Sequence, residues 1–328
     1  MKAVLISKPG SAENLVLGDI IRPVPGPNEL LVKVKATALN RADILQREGK
    51  YPPPPGTSEL LGLEMSGIIE ETGQNCKGWS TGQSVFGLLS GGGYAQYATI
   101  DYRMALPKPE ILSHEEAAAI PESFLTAFQA LVWLARIQPD ESVLIHAGAS
   151  GVGTSAIQLA REMGAHIFVT AGSDEKIKKC LELGAEFGTN YKNRSFFEPL
   201  MEATGEKGID VIIDFVGEPF WDQNIEALAT DGRIVILATM GGSEIPRFSL
   251  RQLIRKRATI TGSTLRNRPL YYKIDLTRSF TEFAYPLLKS GRIRPVIGRI
   301  FSWEDVVQAH RYMEQNLNIG KIVLRVTD

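Results

Sequence analysis

The segment from Ser142 to Ser173 constrains the fold more than any other part of the chain. Its sequence is SVLIHAGASGVGTSAIQLAREMGAHIFVTAGS, in which an apolar run, a loop with three glycines, an amphipathic stretch and a second apolar run follow in order. The order predicts a strand, a tight turn, a helix and a second strand. The amphipathic stretch carries apolar residues at the i, i+3, i+4 and i+7 spacing of a helix, namely Ala156, Leu159, Ala160 and Met163.

A turn between a strand and a helix with this glycine content is typical of a site for the pyrophosphate of a dinucleotide. Glycines let the backbone approach the ligand closely, and the helix N-terminus offers free N–H groups and a positive dipole end. The spacing is G-x-x-G-x-G rather than the more familiar G-x-G-x-x-G, so the surrounding strands and helix carry much of the inference. We predict that a dinucleotide contacts Gly148, Ser150, Gly151, Val152 and Gly153.

Residues 121–266 alternate short apolar runs with helix-like stretches. This pattern predicts a doubly wound parallel sheet covered by helices on both faces, a Rossmann domain. Six strands are expected, the full number of a dinucleotide-binding domain. The predicted strands are Ser142–Ala147, Ile167–Ala171, Phe187–Asn190, Val211–Val216, Arg233–Leu237 and Ala258–Thr261.

The two regions that flank the Rossmann domain have a different sequence pattern. Residues 1–120 contain short β-type runs separated by glycine and proline, and the four prolines within Tyr51–Gly56 require an extended loop. Residues 267–328 end in the apolar strand Lys321–Val326. We therefore predict an α/β protein in which the Rossmann domain, 121–266, is inserted into one β-rich domain formed by 1–120 and 267–328.

Composition limits the partners and the location. The formal net charge of the 328 residues is −1, and we expect no nucleic-acid partner and no charged membrane surface as a partner. No apolar stretch approaches the length of a membrane span. The two cysteines, Cys76 and Cys180, form neither a metal motif nor a disulfide framework, so we expect a cytoplasmic protein.

The end of the second predicted strand bears on which nicotinamide dinucleotide is bound. NAD sites place Asp or Glu there to hold the ribose 2′-hydroxyl, whereas this chain has Gly172. A glycine leaves room for a 2′-phosphate, and Ser173 and Lys176 can donate to it. The alternative makes Ser173 a helix cap and Lys176 a surface lysine, with Asp174 opening the next helix. We predict NADPH as the cofactor.

Landmarks along the whole chain resemble one family. ALNRADILQREGKYPPPPG, GLEMSGII, GGGYAQY, HAGASGVG, DFVG and NIGKIVL are similar to successive motifs of the zinc-free, zeta-crystallin-like quinone oxidoreductases, most of all the tumour-suppressor-inducible branch. These belong to the medium-chain dehydrogenase/reductase superfamily. The resemblance implies a GroES-like catalytic domain and a homodimer joined through residues 258–263 of the Rossmann domain. It also implies no metal, because Asn40 and Leu63 stand where zinc-dependent relatives carry ligands.

The resemblance further assigns a catalytic region. Asn40, Arg41 and Asp43 would lie on a turn that faces the nicotinamide, with Tyr51 on the following loop. Asn40 and Tyr51 would hydrogen-bond a substrate oxygen, and Tyr51 can donate a proton. The alternatives are that Asp43 caps a helix or pairs with Arg41, that Asn40 holds a turn, and that Tyr51 packs on the prolines.

Further cofactor contacts are expected mostly by resemblance. Thr126 matches a threonine at the nicotinamide, with a hydrogen bond to its own helix as the alternative. Tyr191 matches a tyrosine beside the adenosine phosphate, and Asp214 ends the fourth strand at the ligand-binding edge of the sheet. The remaining predicted contacts are Leu237, Met240, Ser263, Leu265, Asn318 and Lys321. His146 is instead expected to be a hydrogen-bonded core histidine.

The function implied is reduction of a quinone by NADPH without a metal, through hydride or single-electron transfer. An enal, enone or enoyl-thioester reductase on the same scaffold is the first alternative, since these substrates are also electrophilic. The second alternative is an NADPH-binding protein with little catalysis, with incidental RNA binding. The expected partner is thus a small quinone or enone.

Overall fold

The computed structural model describes residues 1–327. Its strands are β1 (Lys2–Ile6), β2 (Leu15–Asp19), β3 (Glu29–Ala38), β4 (Glu64–Thr72), β5 (Ser84–Leu88), β6 (Tyr97–Asp101), β7 (Ala105–Pro107), β8 (Ser142–Ile145), β9 (His166–Ala171), β10 (Phe187–Asn190), β11 (Ile209–Asp214), β12 (Leu228–Ile236), β13 (Thr259–Gly262), β14 (Ile297–Ser302) and β15 (Lys321–Arg325). Its α-helices are α1 (Arg41–Arg47), α2 (His114–Ala118), α3 (Pro121–Phe128), α4 (Gly151–Glu162), α5 (Asp174–Leu183), α6 (Phe197–Ala203), α7 (Trp221–Ala227), α8 (Leu250–Lys256), α9 (Leu270–Ser290) and α10 (Val306–Glu314).

These elements form two compact units. The first unit is Met1–Leu125 together with the chain from Arg266 onward, and the second is Thr126–Leu265. No helix within residues 1–327 is long and apolar enough to span a membrane.

The first unit is organised around the long strand β3. Its sequence ELLVKVKATA buries nearly every apolar side chain, because it pairs with β4 along one edge and with β6 and β15 along the other. The sheet order is β14-β15-β3-β4-β5-β7, so strands from both ends of the chain share one sheet. The β14–β15 pair is parallel, whereas the other pairs are antiparallel. The predicted β-rich fold of this unit is confirmed, and β14 and β15 of the C-terminal segment belong to its sheet.

The second unit is a six-stranded parallel sheet in the order β10-β9-β8-β11-β12-β13. The central strands β8 and β11 are apolar on both faces because helices cover both sides. Residues 143–145 of β8 and 211–213 of β11 are fully buried. The predicted Rossmann sheet of six strands is confirmed. All strand carboxyl ends point to the same edge, where ligands bind in open α/β sheets.

Candidate functional site

The glycine loop of the second unit joins β8 to α4. A Cβ added at Gly153 would lie 2.4 Å from the Ala147 oxygen and 2.6 Å from the Gly148 oxygen, so a side chain there would push the helix away from the loop. A Cβ at Gly148 would lie 2.9 Å from the Val169 Cβ atom. These two glycines therefore let the loop, β9 and the first turn of α4 pack closely.

The first turn of α4 has the features of an anion site. Ser150 is the N-cap, and its Oγ accepts a hydrogen bond from the Gly153 N–H at 3.0 Å. The N–H groups of Gly151 and Val152 precede the first turn's internal hydrogen bonds and lie at the positive end of the helix. The predicted contacts of the loop are thus brought together in an arrangement that suits a pyrophosphate.

Gly172, at the end of β9, was expected to leave open space for a 2′-phosphate, but the space beside it is occupied. A Cβ at Gly172 would lie 2.9 Å from the Tyr191 hydroxyl and 3.4 Å from the Lys192 Cε atom. Ser173 is the N-cap of α5 and accepts from the Lys176 N–H at 3.3 Å, as the alternative interpretation foresaw. Gly172, Ser173 and Tyr191 nevertheless lie together. Lys192, which directly follows Tyr191 at the end of β10, adds a cation that the sequence reasoning missed.

The carboxylate of Asp174, next to Ser173, already has a hydrogen-bond partner. Asp174 accepts a hydrogen bond from the Asn190 Nδ2 at 2.8 Å across the start of α5. The Tyr191 ring is 41% exposed and packs edge-on against Phe220, with 5.4 Å between the ring centroids. Donors at the N-terminus of α5 therefore lie beside an accessible tyrosine.

Asp214 ends β11 and holds the turn that follows. Its carboxylate accepts from the N–H groups of Val216 at 2.7 Å and Gly217 at 3.2 Å, and from Asn224 at 3.3 Å. Asn224 also bonds His146 at 2.6 Å, and burial lowers the pKa of that histidine. His146 is confirmed as a hydrogen-bonded core residue.

Most of the other residues of the second unit that are predicted to contact the cofactor lie at or just beyond the ends of its strands. The Leu237 N–H donates to the Asp214 oxygen at 2.8 Å, and the Ser263 N–H donates to Ile236 at 3.0 Å, which extends β12 and β13 toward the ligand-binding edge. Met240 is 57% exposed beyond β12, and Leu265 is buried. The Thr126 hydroxyl is buried and has no hydrogen-bond partner within residues 1–327, so the expected alternative of a bond to its own helix is absent there.

In the first unit, Asn40 belongs to a buried polar cluster. Its Oδ1 accepts from the Lys321 Nζ at 2.6 Å, and its Nδ2 donates to Glu64 at 2.9 Å. Lys321 and Glu64 form an ion pair at 2.6 Å with side chains that are 4% and 0% exposed. Lys321 also donates to the Leu39 oxygen at 2.9 Å, so its three N–H groups all have acceptors.

This arrangement alters two expectations. Asn40 was expected to hold a substrate oxygen, and Lys321 was expected to approach the cofactor. Instead, Asn40 and Lys321 bind each other, and each of them also binds Glu64. Asn318, the other C-terminal candidate, donates to the Gly320 oxygen at 2.8 Å within its own loop. These side chains therefore serve first to hold the structure of the unit.

Asp43 is a buried cap of α1. One carboxylate oxygen accepts from the Asn40 N–H at 2.8 Å and the other from the Gly62 N–H at 3.0 Å. Burial raises the pKa of Asp43 to about 6. Arg41 does not pair with it and donates instead to the Met313 oxygen and to Asn316. The cap interpretation matches this geometry.

Tyr51 lies beside Arg266, which is joined to Lys273 through Ser90. The Arg266 guanidinium stands over the Tyr51 ring at 5.6 Å from its centroid, and it donates to the Ser90 oxygen at 3.0 Å. Lys273 is buried and donates to the Ser90 hydroxyl at 2.8 Å. Burial raises the pKa of Tyr51, and the charge of Glu122 raises it further. No hydrogen bond of the Tyr51 hydroxyl occurs within residues 1–327.

Glu122 is the functional candidate that sequence reasoning missed most clearly. It is the second residue of α3, and its N–H donates to the Glu64 Oε2 at 2.8 Å. Its side chain is half-buried, and burial, followed by the charge of Glu64, raises the pKa of Glu122 to about 8. A glutamate directly after the proline that opens a helix was the available signal, and it resembles an ordinary first-turn acid.

Comparison with known proteins agrees with the fold. A family model described as "Alcohol dehydrogenase GroES-like domain" matches residues 26–110, and one described as "Zinc-binding dehydrogenase" matches residues 151–280. Within residues 1–327, no group of three or more His, Cys, Asp or Glu side chains could hold a metal ion.

Individual relatives share most of their length with this chain. Quinone oxidoreductase of Homo sapiens is 32% identical, over 99% of this chain and 97% of that protein. Among solved structures, an NAD-dependent alcohol dehydrogenase has a TM-score of 0.88 at 31% identity, with both chains fully covered. The Escherichia coli quinone oxidoreductase complexed with NADPH has a TM-score of 0.87 at 28% identity, covering 99% of this chain and 100% of that chain. CurK enoyl reductase has a TM-score of 0.85 at 29% identity, covering 99% of each. The chain is therefore an oxidoreductase of the quinone oxidoreductase family, within the medium-chain dehydrogenases and reductases.

Proposed function

We propose that this protein reduces quinones with NADPH and without a metal ion. The observation that carries the proposal is the half-buried start of α4, where the packing of Gly148 and Gly153 leaves the N–H groups of Gly151 and Val152 for a pyrophosphate. The name of the human relative supports the quinone. Bound NADPH would supply a hydride, or one electron at a time, to the substrate.

The preference for NADPH follows from the charges at the end of β9. Lys176 and Lys192 would hold the 2′-phosphate, and Ser173 and Tyr191 offer hydroxyl groups beside them. Asp174 is occupied by Asn190, so it is held away from the role that an acidic residue plays in NAD sites. The Escherichia coli relative supports this assignment, while the NAD-dependent alcohol dehydrogenase makes an NADH control essential.

On the substrate side, Tyr51 would hydrogen-bond a substrate oxygen, because its hydroxyl is not engaged within residues 1–327. Asn40 and Asp43 would act as positioning residues, since their polar groups hold Lys321, Glu64 and the turn at Gly62. A quinone suits such a site because it is already electrophilic and needs no Lewis acid.

A reductase of enones or enoyl thioesters is the second candidate, supported by the likeness to CurK enoyl reductase. Both candidates need the same hydride source and differ in the acceptor.

A homodimer joined through β13 is also part of the proposal, because β13 is the last strand at its edge of the described sheet. Sedimentation of the purified protein at several concentrations tests that part independently.

The decisive experiment measures oxidation of NADPH with a panel of ortho- and para-quinones and a panel of enones, beside NADH controls. We expect turnover with quinones and a lower kcat/KM with NADH. Tyr51→Phe should lower kcat/KM, whereas the matched change Tyr271→Phe at a residue that is 70% exposed should not. Turnover of enones alone would replace the quinone assignment, and tight NADPH binding without turnover of any acceptor would refute catalysis.

A further inference from the structure

Glu122 holds a carboxyl group that the contacts of the first unit leave available. Its backbone N–H is bound by Glu64, but its side chain forms no hydrogen bond or ion pair within residues 1–327. The side chain is half-buried rather than fully enclosed. The charge of Glu122 acts on Tyr51, Arg266 and Lys273. The Arg266 guanidinium stands 5.6 Å from the centroid of the Tyr51 ring, so Glu122 belongs to the same charged cluster as the tyrosine proposed to bind the substrate.

We propose that Glu122 is the acid that protonates the substrate oxygen during reduction, a role that rests on the proposed reductase function. The substrate gains a hydride, with its electron pair, from the dihydronicotinamide and then carries a negative charge on oxygen. The Glu122 O–H bond breaks, a new O–H bond forms on the substrate, and the glutamate is left as a carboxylate. A proton from solvent then restores the acid.

Neighbouring charges explain why Glu122 rather than Glu64 carries the proton. Glu64 is paired with Lys321, accepts from Asn40 and accepts from the Glu122 N–H, so its negative charge is well stabilised. The charge of Glu64 raises the pKa of Glu122, whose carboxyl group has no such hydrogen bonds within residues 1–327. The positive end of α3 would favour a charged Glu122, but the Glu64 carboxylate already occupies that end.

The remaining neighbours would hold the carboxylate that forms after proton transfer. Arg266 is 4% exposed, and its Nη1 has no hydrogen-bond partner within residues 1–327. Lys273 provides a second nearby cation. The charged or titratable groups that act on Glu122 or are acted on by it include Asp43, Tyr51, Glu64, Arg266, Lys273 and Lys321.

A comparison of acid strengths favours Glu122 over Tyr51 as the donor. The pKa of Glu122 is raised to about 8, so the group is mostly protonated at neutral pH and is still a usable acid. The pKa of Tyr51 rises above its ordinary value of 10.0, so its hydroxyl gives up a proton less readily. Glu122 is therefore the stronger acid of the two. Tyr51 then orients the substrate oxygen, and Glu122 supplies the proton.

The first test needs neither cofactor nor substrate. Infrared difference spectra between pH 7 and pH 9.5 should show loss of the carbonyl band of one protonated carboxyl group in the purified protein. The band should vanish in Glu122→Gln and persist in Glu110→Gln, a matched change at an exposed carboxyl group of the same unit. Absence of a titrating band from the original protein would overturn the proposal whether or not the protein reduces quinones.

The second test measures turnover with the best quinone or enone. Glu122→Gln should lower kcat by about a hundredfold, leave the KM for NADPH unchanged, and abolish both the decline of kcat above pH 8 and the solvent isotope effect. Glu110→Gln should behave as the original protein. An unchanged kcat in Glu122→Gln would overturn the role in catalysis. Failure of the original protein to turn over any acceptor would instead refute the proposed function, and the infrared result would still report on the carboxyl group.

Discussion

The substitution Glu122→Gln should stabilise the folded protein, and the gain should grow as the pH rises. Folding raises the pKa of Glu122 from 4.5 to about 8 because the carboxyl group loses water and faces Glu64. An acid whose pKa is raised on folding binds its proton more tightly in the folded chain than in the unfolded chain. Folding therefore carries no penalty from this group below pH 4.5, a growing penalty up to pH 8, and a constant penalty above it.

The size of this penalty follows from the shift. About 3.5 units at about 1.36 kcal/mol each give roughly 5 kcal/mol at pH 9, against less than about 1 kcal/mol at pH 5. The carboxyl group is only half-buried, and solvent reduces the cost by about half. A neutral amide of the same shape avoids the penalty. We therefore expect Glu122→Gln to gain roughly 2 to 4 kcal/mol relative to the original protein between pH 5 and pH 9.

Urea unfolding followed by circular dichroism at pH 5, 7 and 9 measures this difference. Other groups titrate in both proteins, so their effects cancel when the two free energies of unfolding are subtracted at each pH. Glu110→Gln serves as the control and should show a difference that does not change with pH. A Glu122→Gln difference that is equally flat, within about 0.5 kcal/mol, would refute the reasoning on burial and charge.

Three further outcomes follow from the geometry. Lys321→Met should cost about 3 to 5 kcal/mol of unfolding free energy because it leaves the buried Glu64 without its cation, and adding Glu64→Gln should recover most of that loss. Gly153→Ala should weaken NADPH binding at least tenfold in a fluorescence titration, since a Cβ would lie 2.4 Å from a backbone oxygen, while Gly262→Ala, with no atom within 4 Å, should not. Lys192→Ala should raise the KM for NADPH but not for NADH, and an equal change in both would refute its contact with the 2′-phosphate.

The fold was largely predictable because its signals are local and periodic. The strand Phe187–Asn190 lies where its apolar run predicted it. The ends of strands were less accurate, since β8 stops at Ile145 rather than at Ala147. Ala147 adopts a left-handed backbone with φ of 48°, which an alanine rarely takes and which its sequence neighbours do not signal.

The candidate site was predictable only where it depends on contiguous sequence. The glycine loop and the cap at Ser173 are local patterns, and both were identified with their alternatives. Glu64, Glu122 and Lys321 lie far apart in sequence and meet only because β4, α3 and β15 converge in the first unit. Family resemblance marked Asn40 and Lys321 separately, but it gave no reason to expect that they bond each other.

The buried cluster of the first unit has consequences for chemistry without a metal ion. A Lewis acid would stabilise negative charge on a substrate oxygen directly, and no metal is proposed for this chain. A proton donor achieves the same end by neutralising that oxygen, provided that the donor stays protonated at neutral pH. Both members of the Glu64–Lys321 pair act on this condition, because the charge of Glu64 raises the pKa of Glu122 and the charge of Lys321 lowers it. The ion pair and the acid are therefore coupled, and weakening the pair with Lys321→Met should shift the alkaline limit of kcat as well as the stability of the unit.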